Sequence, residues 1–302
     1  MLFYPASMKK DYKIFCFLLF FFFVPWPILF AQTTEKDLPD ALLWKISGKN
    51  LKQPSYLFGT VHAICADDMI FTEGLVQALQ NSQQLVLEID ITDKELPKKM
   101  ENGMVMKGNS RLEELLPSED YTLLSNYFQD SLGINIGGIQ NMKPIFLTSL
   151  IYSKLLGCIP QSYENQLSTM ASHQQMGISG IETIEEQIQV FEKISYKEQA
   201  EMLLQTIVEY PELADAYWNM IISYRNQDLN SLYHVITDIK IGMEKYEQLM
   251  VFDRNLKWIP RIEQMANLKP TLFAFGAAHL PGNKGVIALL KKRGYKVEPV
   301  LY

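Results

Sequence analysis

The sequence predicts an α/β (α+β) fold: a mixed central sheet built from strand, G-x-x-H, helix, strand units at both chain ends, with a large helical insertion between them. Three observations lead there. "SYLFGTVHAI" at residues 55–64 and "TLFAFGAAHL" at residues 271–280 are both apolar, β-prone runs that end in glycine, two residues and histidine. Each is followed by helical text and then a further strand-like run. The long stretch between them, about residues 95–268, is mostly helical in pattern, and no low-complexity linker or shift in composition divides it.

The chain opens with Lys9, Lys10 and Lys13 ahead of an apolar run from Ile14 to Phe30 and then Ala31-Gln32. A basic segment, an apolar core and a small residue read as a signal peptide over residues 1–31. The run is short of the roughly 20 residues of a spanning helix, and Pro25 and Pro27 interrupt its end. The mature protein, residues 32–302 as a single domain, is therefore expected to be exported, periplasmic or extracellular. It would meet a membrane only through an uncleaved leader.

Next come two strands, Ala41–Ile46 and Ser55–Phe58, with Gly48, Asn50 and Pro54 between them as hairpin signals. "IFTEGLVQALQNS" places Leu75, Val76 and Leu79 at helical spacing, and "QQLVLEID" then reads as a strand beside the first one, ending in acids. Ser118-Glu119-Asp120 opens a helix with a cap and an acidic first turn, and Gly133 closes it. Pro144 opens another, which stops at Gly157. "MGISGIET" reads as a short central strand ending at Glu182. Helices are expected over Glu198–Glu209, Ala214–Arg225, Leu229–Asn255 and Leu256–Ala266, with Pro211 and Pro260 as punctuation. After the second G-x-x-H, "VIALLKKRG" is a helix stopped by Gly294, and "YKVEPVLY" is the last strand.

With 48% hydrophobic and 21% charged residues the chain has enough apolar content for a sizeable core, and its formal charge of −6 argues against nucleic acid as a partner. Of three cysteines, Cys16 lies in the leader. Cys65 and Cys158 are left, able to pair in an oxidising compartment but too few for a disulfide framework. Cys65 also makes H-x-x-C with His62, but no second Cys or His pair completes a structural zinc site. No G-x-S-x-G, H-E-x-x-H, P-loop or dinucleotide fingerprint occurs.

The chemistry-bearing candidates follow the strands. In α/β sheets, ligands gather where strands end, and glycine there lets the backbone turn sharply or approach a ligand closely. His62 and His279, two of the chain's four histidines, both stand at such ends. Imidazole is a common ligand for divalent ions, and two histidines with a carboxylate make a familiar set for catalytic zinc or non-haem iron. Glu88, closing an apolar strand, needs a metal or an arginine as partner if it is buried; Asp90, two positions on and on the same face, competes for that role. Glu182 has the same character, or simply starts a helix. Arg254 offers a fork for a carboxylate or oxyanion, with Asn255 beside it, though both also suit a solvated helix face.

Together "YLFGTVH", the Glu of "LVLEID", "KPIFL", "GIETIEEQ", "SYKEQ", "RNLKW" and "GAAHLPGNKGVIALLKKRGYKV" resemble the TraB/GumN family, whose animal members are the Tiki Wnt-clipping proteases. The resemblance runs from about Leu43 to Val300. It implies an erythromycin-esterase-like core with the paired G-x-x-H motifs meeting at one site. In the Tiki branch it also implies a protease dependent on manganese or cobalt. By this resemblance His62, Glu88 and His279 match metal or catalytic positions, and Glu182, Arg254 and Asn255 match further polar ones. "SYENQL", from Ser162 to Leu167, departs from the glycine-aspartate usual before that helix.

Three functions are in view. In the first, a divalent metal ion (manganese, cobalt or zinc) is held by His62, His279 and Glu88. Glu88 is then third ligand or base, Arg254 stabilises the oxyanion with Asn255 orienting it, and the substrate is a peptide or small molecule. In the second, His62 acts without metal as general base on an ester. In the third, the histidines bind haem or a peptide and nothing is cleaved.

Overall fold

The computed structural model of the protein describes residues 37–238 and 244–301; the expected leader over residues 1–31 lies outside the described residues. The chain forms a six-stranded sheet from β1 (Leu43–Ser47), β2 (Ser55–Thr60), β3 (Gln84–Leu87), β4 (Gly177–Gly180), β5 (Thr271–Gly276) and β6 (Lys296–Pro299), in the order β4-β3-β5-β2-β1-β6. β1 pairs antiparallel with β2, as the hairpin signals predict, and antiparallel with β6 on its other side. The β2–β5, β5–β3 and β3–β4 pairs are parallel. The sheet is mixed, with β1 as its reversed strand.

β2 and β5, from opposite ends of the chain, lie side by side at its centre. Parallel strands covered on both faces read as continuous apolar runs, and Leu272, Phe273, Ala274 and Phe275 in β5 are each fully buried. The register sets Gly59 opposite Phe275 and Thr60 opposite Gly276, so the two G-x-x-H motifs run out of step by one residue.

Two strand expectations need correction. β3 does not sit beside β2: the crossover through α1 (Glu73–Gln80) carries the chain past the slot that the apolar β5 fills, and β3 pairs with β5. β4 is not central but forms one edge of the sheet. Apart from Ile178 its four residues are small, Gly177 is exposed and the others only partly buried, and a short strand of this kind makes a blunt edge.

Between β3 and β5 run α2 (Leu96–Met104), α3 (Ser118–Leu132), α4 (Pro144–Leu156), α5 (Tyr163–His173), α6 (Ile184–Phe191), α7 (Tyr196–Val208), α8 (Tyr210–Arg225), α9 (Leu229–Asp238) and α10 (Asp253–Leu268); α11 (Val286–Lys292) leads into β6. α3 and α4 end where expected, at Gly133 and Gly157, both left-handed. α6 and α7 begin with reciprocal caps, Thr183 with Glu186 and Ser195 with Glu198. The continuous helix expected over Leu229–Asn255 is instead broken. Among the described residues α9 covers Leu229–Asp238, a 3₁₀ turn covers Glu244–Tyr246, and a single π turn over Gln248–Phe252 feeds α10. This break puts Arg254 and Asn255 in the first turn of α10 rather than at a helix end. Nor does Pro260 punctuate: it lies inside α10 on the exposed side. A proline there gives up one helical N–H donor, a loss best tolerated on a helix's solvent side, and Leu256 one turn before it is exposed as well.

One core wraps the sheet and includes Trp44, Phe58, Tyr163, Tyr224, Trp258, Phe273 and Phe275. A second, around Leu112, Phe128, Leu147, Ile151 and Leu203, holds α3, α4 and α7 together. Cys65 and Cys158 form a disulfide.

Candidate active site

The C-terminal ends of β2, β5 and β3 each deliver one polar side chain to a common point, the place where parallel sheets gather ligands. His62 follows β2 by two residues, Glu88 directly follows β3, and His279 ends a 3₁₀ turn (Ala277–His279) that directly follows β5. His62 Nε2 lies 3.6 Å and His279 Nε2 3.9 Å from the same Glu88 oxygen, Oε1. Gly276 is what lets them meet. A Cβ there would stand 3.2 Å from Glu88 Oε1 and 3.6 Å from both His62 Nε2 and His279 Cδ2. Its N–H donates to Glu88 Oε1 at 2.9 Å. Gly59 in the first motif does a different job, since its Cβ would press to 3.0 Å on Ala277 and Leu280.

Hydrogen-bond chemistry fixes the His279 tautomer and places a proton on His62 Nδ1. Arg254 Nη1 lies 3.2 Å from His279 Nε2, and a guanidinium only donates. His279 Nε2 is therefore the lone-pair nitrogen, and Nδ1–H donates to Asn255 Oδ1 at 2.6 Å. The amide of Asn255 is turned to suit, its Nδ2 donating to the backbone oxygens of His279 (3.3 Å) and Lys284 (3.0 Å). On the other side His62 Nδ1 lies 2.9 Å from Glu164 Oε1, an acceptor, which again leaves Nε2 facing Glu88.

Arg254 closes the cluster. Its Nη2 bridges Glu88 Oε2 and Glu182 Oε1, both at 2.5 Å, while Nε adds 3.0 Å to Glu182. Trp258 Nε1 donates to the other Glu182 oxygen at 2.9 Å, and its indole lies 4.8 Å below the guanidinium and 4.3 Å from the His279 ring. Gln187 Nε2 donates to Glu88 Oε2 at 3.0 Å.

These contacts decide charge. Burial alone would raise the pKa of Glu88, but Arg254, His62, His279 and the Gly276 N–H hold it well below the usual carboxylate range. Burial pushes the pKa of His279 down to about 3; Glu88 opposes this, while the charges of Arg254 and His62 add to it. The ring is neutral at ordinary pH. Burial works against a charged His62 too, but the bond to Glu164 and the charges of Glu88 and Glu164 outweigh it and raise its pKa to about 9. Since 63% of that side chain is open to solvent, water screens part of this attraction.

All six expected site residues, His62, Glu88, Glu182, Arg254, Asn255 and His279, thus stand in one contiguous cluster. Two details differ from expectation. Asn255 orients His279 rather than Arg254 or an oxyanion, because its side chain turns toward the 3₁₀ turn. Asp90, the competitor of Glu88, folds back on Thr92 at 2.9 Å and 2.6 Å. The sequence reading missed Glu164, Gln187 and Trp258. "SYENQL" and "IEEQ" read as helix openings, where an acid in the first turn has an ordinary reason to be, and nothing local marks Glu164 as a neighbour of His62. A cleft of about 270 Å³ opens beside the cluster, lined by His62, Glu88, Ile89, Ser162, Glu164 and Gln187 among others.

The cluster also bears on a metal. Among the described residues no group of three or more His, Cys, Asp or Glu side chains is spaced to hold a metal ion; Arg254 stands against Glu88 and His279 instead. The donor chemistry nevertheless fits a divalent ion. His279 Nε2 offers a lone pair, His62 Nε2 offers one once its second proton is displaced, both face the anionic Glu88 oxygen, each ring is anchored through its Nδ1, and Gly276 keeps the space free of a side chain.

A family model described as the TraB/PrgY/gumN family matches residues 42–299. Among curated proteins the chain is 22% identical to metalloprotease TIKI2 of Danio rerio, over 88% of this chain and 62% of that protein. It is 21% identical to metalloprotease TIKI1 of Danio rerio, over 89% of this chain and 64% of that one. With metalloprotease TIKI1 of Homo sapiens it shares 20% identity, over 86% and 62%. The chain thus spans less than two thirds of the length of these relatives. No solved structure is significantly similar to it.

Proposed function

The chain belongs to the TraB/PrgY/gumN family, and on that premise we propose that it is a metal-dependent hydrolase acting on peptides. The observation that carries this reading is the convergence of His62 Nε2 and His279 Nε2 on Glu88 Oε1. Relatives named metalloproteases support the class of reaction. His62, His279 and Glu88 would hold the ion, with manganese, cobalt and zinc as the candidates that suit nitrogen and carboxylate donors. Bound there, a divalent ion supplies polarisation of the scissile carbonyl and acidification of the attacking water.

The chain's own groups divide the remaining work. Glu88, held ionised by Arg254, serves as the anionic ligand rather than as a base, because a carboxylate so stabilised takes up a proton poorly. Arg254, its N–H groups taken by Glu182, Glu88, His279 Nε2 and the Met250 carbonyl, supplies a fixed positive charge behind the site rather than a free fork, and holds Glu88 and His279 in place. Asn255 and Glu182 act through His279 and Arg254. The cleft beside His62, with Ile89 on one wall, receives the peptide. The metal-free alternative, with His62 as base on an ester, is less well served, since Glu164 and Glu88 favour a ring that already carries its second proton.

The proposal extends to the chain as a whole. The two strand, G-x-x-H, helix, strand units are read as one pseudo-symmetric plan within a single domain. The Cys65–Cys158 disulfide, together with the leader-like N-terminus, supports export to an oxidising compartment.

The test is cleavage of a peptide library by the purified protein with added manganese, cobalt or zinc. Metal-dependent cleavage that disappears in His62→Ala and His279→Ala is expected; cleavage unchanged by chelator and by both substitutions would refute the proposal.

A further inference from the structure

His62 is an exposed side chain on a loop, and without a partner an imidazole in that position would be free to rotate and to exchange tautomers. A ring that is to offer Nε2 must carry its remaining proton on Nδ1, and whichever group bonds one nitrogen decides the state of the other. Glu164 is the residue placed to decide it. It stands at the second position of α5, and its Oε1 accepts from Thr60 Oγ1 at 2.7 Å as well as facing His62 Nδ1 at 2.9 Å. Its Oε2 accepts from Ser162 Oγ at 2.7 Å. Both oxygens are assigned, so the carboxylate has little freedom to turn away. Thr60 is the last residue of β2 and pairs with Gly276 in the ladder. The position of the carboxylate is therefore referenced to the same strand ends that carry the cluster.

A second observation concerns what holds the two segments together. Two residues beyond His62, Ile64 and Gln161 exchange both backbone hydrogen bonds, at 3.1 and 2.8 Å. One residue further, Cys65 is joined to Cys158. The loop bearing His62 and the start of α5 bearing Glu164 are thus fastened covalently, although 102 positions separate the two residues.

We propose that Glu164 is a positioning residue that sets the tautomer and orientation of His62, and that the Cys65–Cys158 disulfide is the brace that keeps the pair engaged. This rests on the metal-hydrolase reading for its purpose, but not for its geometry. A carboxylate behind a ligating histidine fixes the ring and raises its basicity, and loss of such a partner typically lowers metal affinity about 10- to 100-fold.

The experiment uses the full chain and two readouts. In the metal-free protein, above the pH at which the ring loses its second proton, nitrogen NMR of His62 should show Nδ1–H in the wild type. In Glu164→Gln the ring should be a mixture or Nε2–H, with far-UV circular dichroism unchanged. Zinc titration should give an affinity about 10- to 100-fold weaker in Glu164→Gln. Affinity should also weaken in Cys65→Ser/Cys158→Ser, by less, because the Ile64–Gln161 bridge remains. Glu164→Asp should recover part of the loss. Wild-type tautomer and zinc affinity in Glu164→Gln would overturn the positioning role. Unfolding or unchanged affinity of the double serine variant would overturn the brace. If His62→Ala binds zinc as tightly as the wild type, the metal reading fails, while the NMR result still judges Glu164 on its own.

Discussion

Arg254 is the position at which the structure makes its largest energetic claim. Arg254→Met keeps an aliphatic stem over Trp258 but deletes the guanidinium, and with it the partner of two carboxylates. The side chains of Arg254, Glu88 and Glu182 are only 12%, 8% and 4% exposed. Removing one member of a buried ion pair costs about 3–5 kcal/mol because the other charge stays behind without compensation. Here one cation serves two anions, which places the loss near the top of that range, at about 5 kcal/mol. Bonds to Glu88 from Gly276 and Gln187, and to Glu182 from Trp258, survive and keep it from doubling. A loss of this size would consume much of the stability of a domain that has about 5–15 kcal/mol in all. The pH dependence follows by sign. In the wild type the pKa of Glu88 is depressed, so its contribution is present above the usual value of 4.5 and is lost only as pH falls to the lowered one. In the variant the largest lowering charge is gone and burial is opposed only by His62, His279 and the Gly276 N–H, so the pKa moves up and the orphaned group takes up a proton at a higher pH than in the wild type. The gap between the two proteins should be widest at pH 7 and narrow toward pH 4. Urea unfolding with linear extrapolation at both pH values measures it. A loss below about 1 kcal/mol at pH 7, or an equal loss at both pH values, would refute the reasoning.

Gly276→Ala should weaken divalent-metal affinity at least about tenfold, since its Cβ intrudes among Glu88, His62 and His279. Its φ of −45° accepts alanine, so urea stability should fall by only about 1–3 kcal/mol, the range for added core volume; unchanged affinity would contradict the role given to this glycine. Glu186→Gln tests a separate ion pair. Hydrogen bonds from Arg261, against some burial, lower the Glu186 pKa to about 2, and both side chains are about one third exposed. The wild-type advantage should be about 0.5–1 kcal/mol above pH 4.5 and vanish as pH falls toward 2, read from paired urea melts; an advantage that grows in acid would be the wrong sign.

How much of this was legible in the sequence depends on how local each signal is. The strands before both G-x-x-H motifs, the glycine stops of α3 and α4 and the acid at the end of β3 are written in a few consecutive residues, and they read correctly; the cap expected at Ser118 does not form, Pro117 standing there instead. Strand neighbours are not local. The crossover from β2 to β3 leaves a slot, and only the buried, apolar character of a run nearly two hundred residues away tells which strand fills it. The same holds for β4, whose four residues Gly-Ile-Ser-Gly suit an edge as well as an interior. The text from Leu229 to Asn255 is helical by composition, yet it breaks so that α10 starts beneath the cluster, with Arg254 under tertiary rather than helical constraint. Asn255 sits next to Arg254 in sequence but serves His279. Glu164, which faces His62, has the spelling of any first-turn acid.

The central claim is that His62, His279 and Glu88 form one metal centre. Elemental analysis of the purified wild type, His62→Ala and His279→Ala after loading and dialysis tests it most directly. The account predicts one divalent ion per wild-type chain and its loss from both folded variants. Stoichiometric metal retained by both would contradict it.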